Sequence, residues 1–287
     1  NELIVGCQNT VIPNSVTSLG YIAFVWCSGL TSIHIPNSVT RIGNLVFGHS
    51  RNLASIYIPN SVTSIGTQVF YGCTSLTSVT IPSSVTNILG SAFEGCTKLK
   101  EVNLSEGLEE IGSYAFEHSA VTSLTIPGTV TRIQSYAMEG MTSLTKLTFA
   151  YGTEELALDW SVFNGTNNVT ELVVDRYYTF GNNNGISYST VKKVTFGEHL
   201  TTIPERVCQG MSLNELIIGA NVTAVDVCAF SQCTLPAGYN FPFAQIKEIK
   251  DNAFSICKNL PAIIDLSGVE TIEYNAFSNS DVQTVKL

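Results

Sequence analysis

The sequence predicts an α/β solenoid in which one short strand per coil stacks into a parallel sheet, with short helical or 3-10 turns and loops on the other side. Three features of the chain carry that prediction. A phrase of about 23 residues recurs along it, an apolar residue followed by Pro marks one phase of the phrase, and a Phe marks another.

The first anchor is Ile12-Pro13, Ile35-Pro36, Ile58-Pro59, Ile81-Pro82 and Ile126-Pro127, with Leu104-Ser105 in between, at steps of 23, 23, 23, 23 and 22 residues. The second anchor is Phe24, Phe47, Phe70, Phe93, Phe116, Met138, Phe163, Cys208, Phe230, Phe254 and Phe277, and the 45-residue step from Phe163 to Cys208 holds two repeats. That makes about twelve coils in one domain spanning 1–287, with a length per coil inside the leucine-rich-repeat range.

Within one unit, Leu76, Val79 and Ile81 alternate with polar residues and read as a short strand with one buried face. Pro82 ends it, because proline cannot donate to a ladder. Ser83-Ser84 supply a turn, and Val85 and Ile88 point back inward. The following Gly-Ser-Ala-Phe-Glu-Gly-Cys is too short for a regular helix, so a helical or 3-10 turn is expected, with Phe93 and Cys96 three apart on one face. No single unit can bury so many apolar side chains. Stacked neighbours can, and strands about 4.8 Å apart would make a sheet about 55 Å long.

Charged residues are only 13% of the chain against 44% hydrophobic, so Ser, Thr and Asn must supply the polar surface. The net charge is -9, with 14 Lys plus Arg against 23 Asp plus Glu, which leaves no footprint for a phosphate backbone; nucleic acid is not an expected partner. No stretch approaches the roughly 18 apolar residues of a membrane span, and no membrane insertion is expected. The start at Asn1, with no leader, reads as a mature or excised portion of a longer chain.

Eight cysteines invite a metal or disulfide reading. Cys27, Cys73, Cys96, Cys233 and Cys257 all lie three residues after the anchoring Phe, and Met141 and Met211 fill the same slot. The slot therefore asks for a modest apolar side chain, and buried free thiols are expected, with one bridge between Cys73 and Cys96 left open. Cys228 and Cys233 lack a second pair at zinc spacing, so no metal and no other cofactor is expected. His34, His49, His118 and His199 are scattered through the unit, and no G-x-S-x-G elbow accompanies them. No enzyme activity is expected. Gly20, Gly43, Gly66 and Gly112 recur once per coil and mark a backbone turn.

The phrase LTSVTIPSSVTNILGSAFEGCTKL, residues 76–99, resembles the 23-residue leucine-rich repeats of the BspA-like family, and the resemblance covers essentially the whole chain. It implies a right-handed, curved superhelix, export to the cell surface or beyond, and a role in adhesion or protein binding. It implies no catalytic residues. An irregular first coil at 1–20 also fits that family.

Irregular segments at 175–190 and 234–245 break the phrase, and irregular loops on a rigid scaffold are where binding determinants tend to sit. Outward strand positions and the first of these segments nominate His34, Tyr57, Lys146, Glu171, Val173, Tyr177, Tyr178, Lys193, Glu215 and Ile217 as partner-binding residues. Tyr177 and Phe180 could instead fill the core where the ordinary repeat is missing. The expected function is non-catalytic binding of an extracellular protein, from a host matrix or a neighbouring cell surface, by a monomer. A glycan-binding surface or a structural spacer projecting another domain are the alternatives.

Overall fold

The computed structural model describes residues 2–3, 11–180 and 190–287. These fall into two compact units, one holding residues 2–3, 11–145, 156–167 and Phe180, the other 146–155, 168–179 and 190–287. Residues 1 and 4–10 of the irregular first coil and 181–189 of the first irregular segment lie outside the described residues.

The architecture is a parallel-strand β-solenoid of about eleven turns. In the first unit, Ser32–His34, Ser55–Tyr57, Ser78–Ile81 and Glu101–Leu104 pair in parallel, in register, as one ladder. In the second, Lys146–Phe149, Glu171–Val174, Lys193–Phe196 and Glu215–Ile218 do the same. These are the strands that the alternation of apolar and polar residues predicts.

Two expectations are corrected. Coils carry a second strand, and among the described residues the turns around the Phe anchors are not helical. The second ladder in the first unit runs Glu2–Leu3, Ser18–Leu19, Arg41–Ile42, Ser64–Ile65, Asn87–Ile88, Glu110–Ile111, Arg132–Ile133 and Leu156–Leu158. In the second unit it runs Thr202–Ile203, Ala224–Val225, Glu248–Ile249 and Thr271–Ile272. It forms because each Pro carbonyl accepts from the N–H three residues on, as in Val39 to Pro36 and Val62 to Pro59, both 3.0 Å. That turn sends Val39 and Ile42 inward and lays Thr40 against the previous coil. Thr40 then donates to Thr17 O from its N–H at 2.9 Å and its hydroxyl at 3.3 Å, and Thr63 repeats both bonds to Thr40.

The segment around each Phe is not helical because its donors do not stay within the coil. Ile22, Phe24 and Trp26 donate to Asn44, Val46 and Gly48 of the next coil, at 3.1, 2.7 and 2.9 Å. The intervening Ala23, Val25 and Cys27 donate to the carbonyl three residues back. An α-helix would need every donor to reach four residues back along its own chain. The alternation also requires a left-handed residue every fourth position, and Ile22 and Trp26 have φ of +57° and +58°. Among the described residues the one helical element is the 3-10 turn Phe243–Gln245.

This backbone stacks the Phe anchors directly over one another. Phe24, Phe47, Phe70, Phe93 and Phe116 are buried, with successive ring centroids 5.1 to 5.4 Å apart and planes within 13° of parallel. Phe230, Phe254 and Phe277 repeat the stack in the second unit, both steps 5.3 Å. Each such pair adds about 0.5–1.5 kcal/mol beyond the area it buries. The recurring glycine is a matter of closeness between coils: a Cβ on Gly66 would lie 2.5 Å from Asn44 Oδ1 and 2.6 Å from the backbone carbon of Gly43.

The slot three residues after Phe does more than fill space. Cys73 and Cys96 donate their thiols to Phe47 O and Phe70 O at 3.1 Å, and where the slot holds Ser50 or Thr166 the hydroxyl reaches Phe24 O or Met138 O at 2.6 Å. Cys73 and Cys96 are free thiols, as are Cys208, Cys228, Cys233 and Cys257. Burial pushes the Cys73 thiol up to about 12, and raises those of Cys96 and Cys208 as well.

Candidate functional site

The strand ladders place most of the sequence-nominated residues on an exposed face. In the first unit His34 and Tyr57 are direct cross-strand partners at the ends of adjacent strands, and Tyr57 is 62% exposed. Over the following strands lie two shallow troughs. One, of about 220 Å³, is bordered by Tyr57, Ser78, Thr80, Glu101 and Asn103; the other, of about 540 Å³, by Glu101, Asn103, Ser123 and Thr125. Their outward groups are mostly hydroxyls and an amide, with Glu101 shared by both and Lys100 at the larger one, and Asn103 Nδ2 donates to Glu101 Oε1 at 3.3 Å.

In the second unit the nominated charges pair with each other. Lys146 meets Glu171 at 3.0 Å and Lys193 meets Glu215 at 3.1 Å, each across one step of the ladder. The Glu215 hydrogen bond raises the Lys193 ammonium above its ordinary range. Such solvent-screened pairs add little to stability, so their effect is to fix register and neutralise the face rather than to hold the fold. The neighbouring row runs Val173, Thr195, Ile217, with Val173 half-buried and Ile217 45% exposed.

In the irregular segments the described aromatics Tyr178, Phe241 and Phe243 turn inward, which corrects the expectation that Tyr178 is displayed for binding. Tyr178 is 1% exposed and packs against Phe149, ring centroids 5.1 Å apart, so it leaves the partner-binding set. Tyr177 is half-buried, and its phenol donates to Asp226 Oδ2 at 2.6 Å; burial first, then that bond and the Asp226 charge, push its hydroxyl up. Arg176 is buried beside them with its guanidinium on Glu154 O. The side chain of Phe180 lies outside the described residues. In the 234–245 segment, Phe241 and Phe243 are buried against Phe254 at 5.0 and 5.5 Å. Where the repeat loses its ordinary core residues, aromatics fill the space left.

Two exposed aromatic columns in the first unit escaped the sequence reading, and both ride on the Phe turns. Trp26 stacks on His49 at 3.9 Å, His49 meets the edge of Tyr71 at 4.9 Å, and the Arg51 guanidinium sits over Trp26 at 5.6 Å. Tyr114 stacks on Tyr136 at 5.2 Å, and Trp160 meets Tyr136 edge-on at 5.0 Å. Trp26, His49, Tyr114 and Tyr136 all have φ between +57° and +61°; at the position of Trp26 and His49 other coils carry Gly72, Gly95 and Gly140, and at that of Tyr114 and Tyr136 the flanking coils carry Ser91 and Ser161, also left-handed. The signal was in the sequence: bulky rings where neighbouring coils carry glycine or serine.

Among the described residues, no group of three or more His, Cys, Asp or Glu side chains is placed to hold a metal, and no helix is long and apolar enough to cross a membrane. Coils of this length, stacked through a Phe column with an open strand face, define a leucine-rich-repeat solenoid. The chain belongs to the BspA type leucine rich repeat family, whose model matches residues 5–120, 63–189, 109–237 and 238–287. Leucine-rich-repeat solenoids are generally non-catalytic modules for protein interaction.

Among solved structures, a leucine-rich repeat protein from Bacteroides ovatus is 24% identical over 96% of this chain and 84% of its own, with a TM-score of 0.46. A leucine-rich repeat protein from T. pallidum is 29% identical over 57% of this chain and 75% of its own, with a TM-score of 0.49. A leucine rich cell surface protein from Faecalibacterium prausnitzii is 22% identical over 94% and 83%, with a TM-score of 0.38. No curated protein matches the chain.

Proposed function

We propose that the protein is a non-catalytic binding and adhesion module of an exported or cell-surface protein, and that it takes an extracellular protein on its strand face. The observation that supports this reading most directly is the face itself. Two in-register ladders present Tyr57 and Ile217 outward, with paired charges rather than free ones around Ile217. A rigid sheet with exposed aromatic and aliphatic groups in a polar surround has the makings of a contact centre. Membership of the repeat family supports a binding role, and export follows the family resemblance.

The test is substitution of Tyr57, Val173 and Ile217 with Asp, one at a time, followed by capture on extracellular matrix proteins or neighbouring-cell surfaces. Loss of capture from at least one variant with thermal unfolding shifted by no more than a few degrees is expected. If all three capture as the parent does, the strand face is not the binding surface. Glycan binding is favoured by one feature, the hydroxyl- and amide-rich troughs over the strands that follow Tyr57. It predicts saturable binding of an oligosaccharide that is weakened by Asn103→Ala.

A further inference from the structure

The Tyr114 column differs from the Trp26 column in what surrounds it. Arg51 already covers Trp26; among the described residues it is the one guanidinium placed over an aromatic ring. Beside Tyr114 and Tyr136 the charges are carboxylates. Glu94, Glu117 and Glu139 occupy the same position, one after each core anchor Phe93, Phe116 and Met138, in three successive coils. Backbone bonds fix that alignment: Gly95 donates to Glu117 O and His118 to Glu139 O, both at 2.9 Å. Within each coil the acid closes the turn on which the ring sits, since Glu117 donates its N–H to Tyr114 O at 3.2 Å and Glu139 to Tyr136 O at 3.1 Å. Stacked rings and stacked acids thus run side by side across the coils.

The fold does not call for either row. The left-handed position of Tyr114 and Tyr136 is filled by small Ser91 and Ser161 in the flanking coils, and like charges one strand spacing apart repel. His118 lies 3.2 Å from Glu117 and Asn164 Nδ2 donates to Glu139 Oε1 at 2.6 Å, while Glu117 is held above its usual range by burial and by Glu94. A solvent-facing ring stack beside a row of like charges is a combination that stability alone does not select. The stack also has a free end. Tyr136 covers one face of Tyr114, whereas the preceding coil places only Ser91 at the corresponding position.

We propose that this surface docks a lysine- or arginine-bearing segment of a partner protein, with one cationic side chain over the free face of Tyr114 between Glu94 and Glu117, and its apolar neighbours against Tyr136 and Trp160. A cation over an aromatic face with carboxylates at its rim meets both the ring quadrupole and the charge it needs. This surface is separate from the strand face, so it stands or falls independently of the binding proposed there.

The test is calorimetric titration of the whole protein with a lysine- and arginine-rich dodecapeptide, an acidic dodecapeptide of the same length serving as control. Tyr114→Asn and Glu117→Gln are each expected to weaken binding about tenfold. Tyr114→Asn should do so without lowering the unfolding temperature, because Asn tolerates the left-handed backbone better. The double variant Glu154→Gln/Glu155→Gln changes net charge more than Glu117→Gln does, and should leave affinity within twofold. The proposal is overturned if the basic peptide does not bind, if the acidic one binds equally, if either site variant keeps its affinity, or if the Glu154/Glu155 control loses as much.

Discussion

In the Phe turns of the first unit, two aromatic columns run two residues apart along the chain and behave in opposite ways. Phe93 and Phe116 face inward and stack at 5.3 Å with planes 2° apart. Tyr114, on the Phe116 turn, and Tyr136, on the Met138 turn of the next coil, stack at 5.2 Å with planes 7° apart, facing outward from left-handed residues. The ring geometry is nearly the same, set by the spacing of the coils. The thermodynamics differ, because the inward column removes apolar surface from water on both sides whereas the outward one gains a stack at the expense of backbone strain. Stacking distance alone therefore says nothing about which column holds the protein together.

The largest separation between the columns is expected from truncation. Phe93→Ala leaves a void between Phe70 and Phe116 and should lower stability by about 3–5 kcal/mol, read from the urea midpoint and slope. Tyr136→Gly should change it by less than about 1 kcal/mol, as lost stacking and relieved left-handed strain offset each other. Similar losses from both would show that the outward column is structural after all, and would remove one premise of the docking surface built on it.

The inward column was legible in the sequence because it depends on periodicity alone. The spacing of Phe, Pro and Gly fixes coil length, strand position and the inward set, and the strands fall where Leu76, Val79 and Ile81 place them. The form of the Phe turn was not legible. Phe93 and Cys96 three apart satisfy a helical turn and the observed turn equally, and the two differ in whether alternate N–H groups bond within the coil or to the next. No window confined to one coil contains that information. The same limit misled the reading of Tyr178, Phe241 and Phe243. An aromatic-rich break in a repeat looks like a displayed loop, and only the packed neighbours show that the break left a hole for these rings to fill. The outward column was visible as Tyr114 and Tyr136 against Ser91, but a helical turn would have given those positions a different facing.

A smaller effect sharpens the account of the slot beside the Phe column. Cys73 carries a thiol raised from 9.0 to about 12, chiefly by burial. Because the folded value is the higher one, its stabilising contribution is whole below pH 9 and declines as pH rises toward 12, while the unfolded chain ionises and the folded one does not. At about 1.4 kcal/mol per unit, the loss across that window is on the order of a few kcal/mol. Cys73→Ser removes the titration and keeps a donor for Phe47 O, as Ser50 does for Phe24 O. Stability measured from pH 8 to 11 should fall less steeply in that variant, with a difference under about 1 kcal/mol at pH 7. Superimposable pH curves for the two proteins would mean that the Cys73 thiol is far less desolvated than its burial indicates.

The smallest effect isolates the strain itself. Ile256, in the second unit, has φ of +57° and is 43% exposed, a β-branched side chain in a region that disfavours it. Ile256→Asn should raise stability by about 0.5–1 kcal/mol, since the backbone no longer opposes the side chain and little buried surface is lost. Trp26 has φ of +58°, but it also stacks on His49 and lies under Arg51, so Trp26→Asn should give up about as much contact energy as it recovers in strain. The pair of melting curves separates backbone relief from ring contacts in one turn geometry. If Trp26→Asn stabilises as much as Ile256→Asn, the outward rings contribute nothing by stacking, and their placement must be explained entirely by what they bind.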